Sequence, residues 1–303
     1  MKSFQLVETK HPLLKRWVDR NGDWEHYNHS GFNINLNSVT SILSKGYPKG
    51  QAFMDWLSKH TEEEQDTIKN EAADRGDLVH RTIDLLLSGE GEMTIDRQTE
   101  VFSRVAGQEI PLDNRGWDNL LAFQRFWNAH EPIVYVSEAA LYKIDPDKQG
   151  GYAGTTDAVL KLTKTCSVKA CNCADLVGEI GVWDWKTSKA VYPNYGAQVA
   201  AYAFADNITE YCPDRPVYGA ALALGTKHVT TGGYAFTAWV GKELREQYGA
   251  FRAARRLANL PAFNPKKDVV DIPDEVKIMV QHYVASTQEE EIETLTSTNE
   301  NNA

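Results

Sequence analysis

The chain has 303 residues, of which 42% are hydrophobic, enough for one substantial core and too many for a disordered polymer. Its net charge of -10 argues against a protein that coats nucleic acid through bulk Lys and Arg contacts, although Glu289, Glu290, Glu291, Glu293 and Glu300 crowd a polar tail that is expected to lie outside the folded core. No run approaches the roughly 18 apolar residues of a membrane span, and the N-terminus lacks the apolar stretch of a signal peptide, so the reading is a cytoplasmic protein with no membrane partner.

Along the chain, Asn21-Gly22 lies between Arg16–Arg20 and Asp23–Tyr27, the pattern of a tight hairpin, so a short β-ribbon is expected within residues 1–35. Its aromatic residues Trp17, Trp24 and Tyr27 are expected to pack against the domain, with base stacking as the alternative. A helix should start at Ser38 or Thr40 and stop at Gly46-Tyr47-Pro48, followed by a polar helical region from Glu62 to Leu87. In the latter, Val79, Ile83 and Leu86 form one stripe with His80 at its border, and Asp84 one turn on could bond the imidazole. A helix over Trp117–Ala129 closes a helical subdomain, residues 36–131.

After Pro132 the pattern turns to strands, at Ile133–Lys143, Tyr152–Thr163 and Val177–Lys186. A helix over Asn194–Ala205, strands at Val217–Leu224 and Tyr234–Val240, and a basic helix from Lys242 to Leu260 complete a core over 132–262. Residues 263–287 are expected to hold a last helix opened by Pro273, and 288–303 an acidic tail. The order predicts a mixed central β-sheet flanked by helices, in the α/β or α+β class. The arginines of the basic helix (Arg245, Arg252, Arg255, Arg256) form either a DNA-backbone contact or a solvated face.

Three groups carry chemistry. Asp157 sits in a strand after small residues, while Asp184 and Lys186, two apart on another strand, share a face. If the two strands pair across the 164–176 insertion, two carboxylates can hold a divalent ion beside a lysine that orients or deprotonates a water, which is what phosphodiester hydrolysis needs. An Asp-x-Lys triplet is weak evidence alone, since about one is expected by chance in a chain of this length. A decoy, Asp274-Glu275-Val276-Lys277, reads as a helix start. What strengthens 184–186 is the next helix, where Gln198 and Tyr202, four apart, share a face that can reach back over the strands.

Gly151-Tyr-Ala-Gly154-Thr-Thr-Asp157, Val182-Trp-Asp184-Trp-Lys186-Thr-Ser188 and Gln198-Val-Ala-Ala-Tyr202 together resemble the PD-(D/E)XK nuclease superfamily. The RecB-like branch, with its CRISPR-associated, mitochondrial genome-maintenance and phage exonucleases, is the nearest in pattern. Arg75-Gly76-x-x-Val79-His80, Ser38-Val39-Thr40 and Glu138 in Ser137-Glu138-Ala139 fit the same series, so the resemblance spans about residues 36–258. It implies a restriction-endonuclease-like core with an N-terminal helical subdomain. It further implies Mg²⁺ or Mn²⁺ held by His80, Asp157, Asp184 and the Trp185 carbonyl, with Lys186 catalytic and Gln198, Tyr202 and Glu138 supporting. The implied activity is a DNA nuclease, an exonuclease on single-stranded or end-bearing DNA, working in recombination, repair or replication with or without a partner protein. An endonuclease and a non-catalytic DNA-binding relative are the alternatives.

The cysteines depart from the iron–sulfur members of that branch, because Cys166, Cys171 and Cys173 fall inside the insertion and Cys212 after the Gln/Tyr helix. An iron–sulfur cluster is therefore disfavoured. Cys-x4-Cys-x-Cys also lacks the usual zinc spacing and a clear fourth ligand, so free thiols are expected and a small zinc site is the alternative.

Overall fold

The computed structural model describes residues 4–19, 25–89, 95–97, 103–105, 108–167, 171–225 and 233–260, and all of these belong to one compact unit. The hairpin turn at 21–22, Trp24, the Pro273 helix, the decoy at 274–277 and the acidic tail lie outside the described residues.

Four strands open the chain: β1 (Phe4–Val7), β2 (Leu14–Asp19), β3 (Glu25–His29) and β4 (Ile34–Ser38). β2 and β3 pair antiparallel, as the hairpin pattern predicts, but the ribbon is not a separate piece. β4 crosses the expected boundary at 35/36 and pairs with a central strand, so the ribbon extends the main sheet.

Three helices follow: α1 (Val39–Gly46), α2 (Gln51–Lys59) and α3 (Glu62–Leu87). Ser38 caps α1 by accepting the Ser41 N–H, and Thr61 with Glu64 forms a capping box on α3, so both starts follow from side-chain oxygens meeting orphan backbone donors. α2 has no buried residue; its apolar residues Phe53, Met54, Trp56 and Leu57 stay exposed or half-buried. Three short strands, β5 (Ile95–Arg97), β6 (Ser103–Val105) and β7 (Gln108–Ile110), make a small second sheet that sequence patterning also misses. α4 (Asn114–His130) then leads into the core.

The core strands are β8 (Ile133–Ile144), β9 (Gly151–Lys161), β10 (Ile180–Lys186), β11 (Tyr218–Ala223) and β12 (Ala235–Val240), with α5 (Pro193–Ala203) and α6 (Gly241–Ala258). The sheet is mixed: β9 runs antiparallel to β8 and β10, whereas β10 is parallel to β11 and β4 parallel to β9. That is the predicted α+β architecture, a central mixed sheet flanked by helices. One core lies between the sheet and α3 and α4, around Val79, Phe123, Phe126, Trp183 and Trp185. The other lies between the sheet and α1, α5 and α6, around Ile42, Val182, Ala200 and Phe251.

One feature of β9 sets up everything else. It pairs with β4 at Tyr152 and Ala153 and with β10 from Ala158 onward, while β8 runs along its other side. Between Ala153 and Ala158 neither β4 nor β10 is in register with it, and side chains span the gap: Thr156 donates to the Trp183 carbonyl and Asp157 accepts the Trp185 N–H. Asp157 thus stands where the sheet forks.

Candidate active site

Asp157 is 8% exposed and uses both carboxylate oxygens. Oδ2 accepts the Trp185 N–H at 2.5 Å, and Oδ1 meets His80 Nδ1 at 2.9 Å. His80 reaches it because Val79 and Ile83, its neighbours on α3, are buried in the α4-side core and fix the helix against the sheet. The predicted bond from Asp84 to the imidazole does not form. Asp84 Oδ1 instead accepts from Ser137 Oγ, Lys10 Nζ and Ser88 Oγ, tying α3 to β8 and to the N-terminal segment.

Glu138 comes closer to the chemistry than the supporting role its motif implies. Ligand-capable atoms of His80, Glu138 and Asp157 all lie within 4.8 Å of one another. In the β8–β9 register Ser137 pairs with Ala158 and Ala139 with Thr156, which sets Glu138 opposite Asp157. Its φ of 51° is left-handed, a conformation that a non-glycine residue inside a strand adopts only when its surroundings impose it. Burial and then the Asp157 carboxylate push the Glu138 acid up to about 7.

Asp184 and Lys186 point toward α5 and form a second group. Asp184 is 3% exposed; its Oδ1 accepts from Gln198 Nε2 at 2.9 Å, and its Oδ2 lies 2.5 Å from Lys186 Nζ. Oδ2 is buried, and the Lys186 ammonium is the charge that faces it. Burial pushes the Asp184 acid up to about 6, even with Lys186 pulling the other way. Burial would lower the Lys186 ammonium, but Asp184 and then Asp157 outweigh it and the net shift is upward. Lys186 is held further by Gln198 Oε1 at 3.1 Å and by the Tyr195 ring, whose centroid is 4.7 Å away. Tyr195 went unread in the sequence, because nothing in Tyr-Gly-Ala-Gln marks it as a lysine partner.

Gln198 and Tyr202 do share the face expected of them, with Gln198 Nε2 also 3.4 Å from the Tyr202 hydroxyl. Tyr202 is buried over β9, where a Cβ on Gly154 would come within 2.7 Å of its ring. Gly154 is therefore a clearance for Tyr202. Of Trp185, what the geometry places at the site is its N–H, on Asp157.

The donor set fits a divalent cation. An imidazole and two carboxylates within 4.8 Å of one another, with the buried Asp184 carboxylate on the adjoining strand, offer such an ion one borderline nitrogen and several hard oxygens.

The basic helix is less available than its sequence suggests. Arg255 makes a two-pronged pair with Asp145, at 2.8 and 2.6 Å, while Arg252 and Arg256 line the groove beside it. In the ribbon, Tyr27 is buried with its hydroxyl on Glu25 and Thr155, so it packs, and Trp17 stacks on His26. None of the four cysteines forms a disulfide. Near the insertion, His130 at the end of α4 joins Cys166, Cys171 and Cys173 as a fourth ligand-capable group, with ligand atoms within 4.8 Å of one another. No helix among the described residues is long and apolar enough to cross a membrane. Comparison with protein-family models and with curated proteins finds no match.

Proposed function

We propose that this chain is a metal-dependent DNA nuclease of the PD-(D/E)XK type, acting as an exonuclease on single-stranded or end-bearing DNA in recombination, repair or replication within the cytoplasm. The observation that carries the reading is the meeting of His80, Glu138 and Asp157 at the fork of the sheet, next to Asp184 and Lys186 on the adjoining strand. Residues from α3, β8, β9 and β10 contribute, and a chance Asp-x-Lys triplet would bring no such company.

Mg²⁺ or Mn²⁺ held by His80, Glu138 and Asp157, with Asp184 Oδ2 as a further oxygen, would polarise water and neutralise charge on a phosphate. The chain's own groups do the rest. Asp157 is oriented by the Trp185 N–H, and Gln198 fixes Asp184 and Lys186 relative to each other. Lys186, kept protonated by its carboxylates, is suited to clamp a phosphate oxygen or orient a water; it becomes a base only when those carboxylates are neutralised. The exonuclease preference and any recombination or replication partner rest on the motif resemblance.

Digestion of end-labelled linear and circular DNA with Mg²⁺, alongside Lys186→Ala, tests the reading. Release of nucleotides from linear DNA by the unaltered chain alone is the expected result. Absence of cleavage on every DNA form overturns the nuclease, and equal cutting of circles replaces the exonuclease with an endonuclease.

A further inference from the structure

We propose that His130, Cys166, Cys171 and Cys173 form a structural zinc site, tetrahedral and closed, that pins the β9–β10 insertion to the end of α4. The four ligand atoms lie within 4.8 Å of one another, and the Cys166 and Cys173 sulfurs are 3.7 Å apart. With Zn–S near 2.3 Å, the edge between two sulfurs of a tetrahedron is about 3.8 Å. One ion fits that spacing, whereas an iron–sulfur cluster has to seat several irons and sulfides between its ligands.

The surroundings match a metal-bound histidine and thiolates. His130 is fully buried, and its Nδ1 lies 3.2 Å from the Lys164 carbonyl. A carbonyl only accepts, so Nδ1 carries the proton, and the Nε2 lone pair, 3.5 Å from the Tyr234 hydroxyl, is the one a metal would take; backbone carbonyls commonly orient zinc-bound imidazoles in this way. The Cys166 N–H points at Cys173 Sγ at 3.4 Å, the donor a thiolate wants. The loop is also built around His130: its carbonyl accepts the N–H groups of both Thr163 and Lys164.

Cys173 and Leu176 are buried in the α4-side core together with Phe126, Trp183 and Trp185. Fixing the insertion there fixes α4 beneath the strand whose other face carries Asp184 and Lys186. Gathering three thiols and an imidazole costs desolvation and brings little packing; one Zn²⁺, displacing up to three thiol protons and leaving a net charge of -1, gives the cluster a reason to exist.

The test is metal analysis of the full chain purified without added metal, followed by cobalt replacement. About one zinc per chain is expected, with thiolate-to-cobalt charge transfer and tetrahedral bands after exchange. Cys171→Ser and His130→Asn should remove or shift those bands, and His80→Ala, in the separate carboxylate group, should leave them intact. Added Zn²⁺ should slow thiol modification of the zinc-stripped chain by at least about tenfold. A chain isolated without zinc, taking up none at one equivalent and showing equal thiol reactivity with and without it, overturns the site. Iron with acid-labile sulfide in the purified chain also overturns it. Because every readout can be made on the unaltered protein and none is cleavage, the result is independent of the nuclease reading.

Discussion

The two ligand clusters, one at the fork of the sheet and the other at the end of α4, are built in opposite ways. The carboxylate site draws on α3, β8, β9, β10 and α5, and its members are tied to one another by polar contacts such as His80–Asp157 and Gln198–Asp184. The sulfur cluster draws on one helix end and one loop, with Cys173 and His130 fully enclosed. Hard oxygens suit an exchangeable ion that acts on substrate, and soft sulfurs suit an ion that stays. The difference separates a site whose loss should stop chemistry from one whose loss should loosen the fold.

The largest expected effect tests that separation directly. Asp184→Asn keeps the side chain's shape and its acceptor for Gln198 Nε2, but removes the charge facing Lys186 and one carboxylate oxygen. DNA cleavage should fall about 10³-fold, equivalent to roughly 4 kcal/mol of transition-state stabilisation, with Tm moving by only a few degrees. Cys173→Ser should do the reverse. If free zinc stands about a thousandfold above its dissociation constant, the site contributes about 4 kcal/mol. Thermal melting should then drop by roughly 8–16 °C in a unit of this size, while cleavage per folded molecule is retained. A Cys173→Ser protein that melts normally but no longer cuts would break the comparison.

The two clusters were also unequally legible in the sequence. Asp184 and Lys186 are two apart on a strand and Gln198 and Tyr202 four apart on a helix, so local periodicity already groups them, and Asp157 joins through a hairpin that the strand pattern predicts. His80 sits far up the chain and was read as a ligand only through the motif resemblance, which also picked out Glu138, although β8 directly precedes β9. That Glu138 stands with His80 and Asp157 depends on β8–β9 register and a left-handed φ, neither of which a residue type announces. His130 was invisible as a ligand because it ends a helix that sequence patterning stops at Ala129, and α4 folds back to the loop only through tertiary packing of Phe123 and Phe126. Sequence patterning also misses α2, a nine-residue helix with none of its residues buried, and the small β5–β7 sheet, whose three-residue strands are too short to show a period.

Proton competition distinguishes the clusters next. In the metal-free protein burial disfavours the His80 cation, but Asp157 overrides it and the imidazole titrates at about 9, while Glu138 titrates at about 7. An ion bound through His80 must displace its proton below about pH 9, and through Glu138 a second one below about pH 7. Mn²⁺ affinity should therefore rise with pH, about tenfold per unit between 7 and 9 and more steeply below 7, as followed by calorimetry in several buffers. His80→Gln should flatten the upper segment. A Mn²⁺ affinity that is constant from pH 6 to 9 would mean that neither group is a ligand.

The smallest effect concerns strain. Glu138 holds a left-handed φ of 51° within β8, a conformation costing of order 1–3 kcal/mol for a residue with a Cβ, and it buries a carboxyl against Asp157. Glu138→Gly removes both costs, though a glycine in a strand gives back some backbone entropy, so a net gain of about 1 kcal/mol is expected. Without metal the variant should melt a few degrees higher than the parent. With Mn²⁺ present the order should reverse, because binding stabilises the parent and the variant lacks a ligand. That crossover has no counterpart at the sulfur cluster, where Cys171→Ser should lower stability in zinc and change it little in the stripped protein. A variant that is less stable with and without Mn²⁺ would show that Glu138 serves the strand and not the ion, and would return it to the supporting role its motif alone implies.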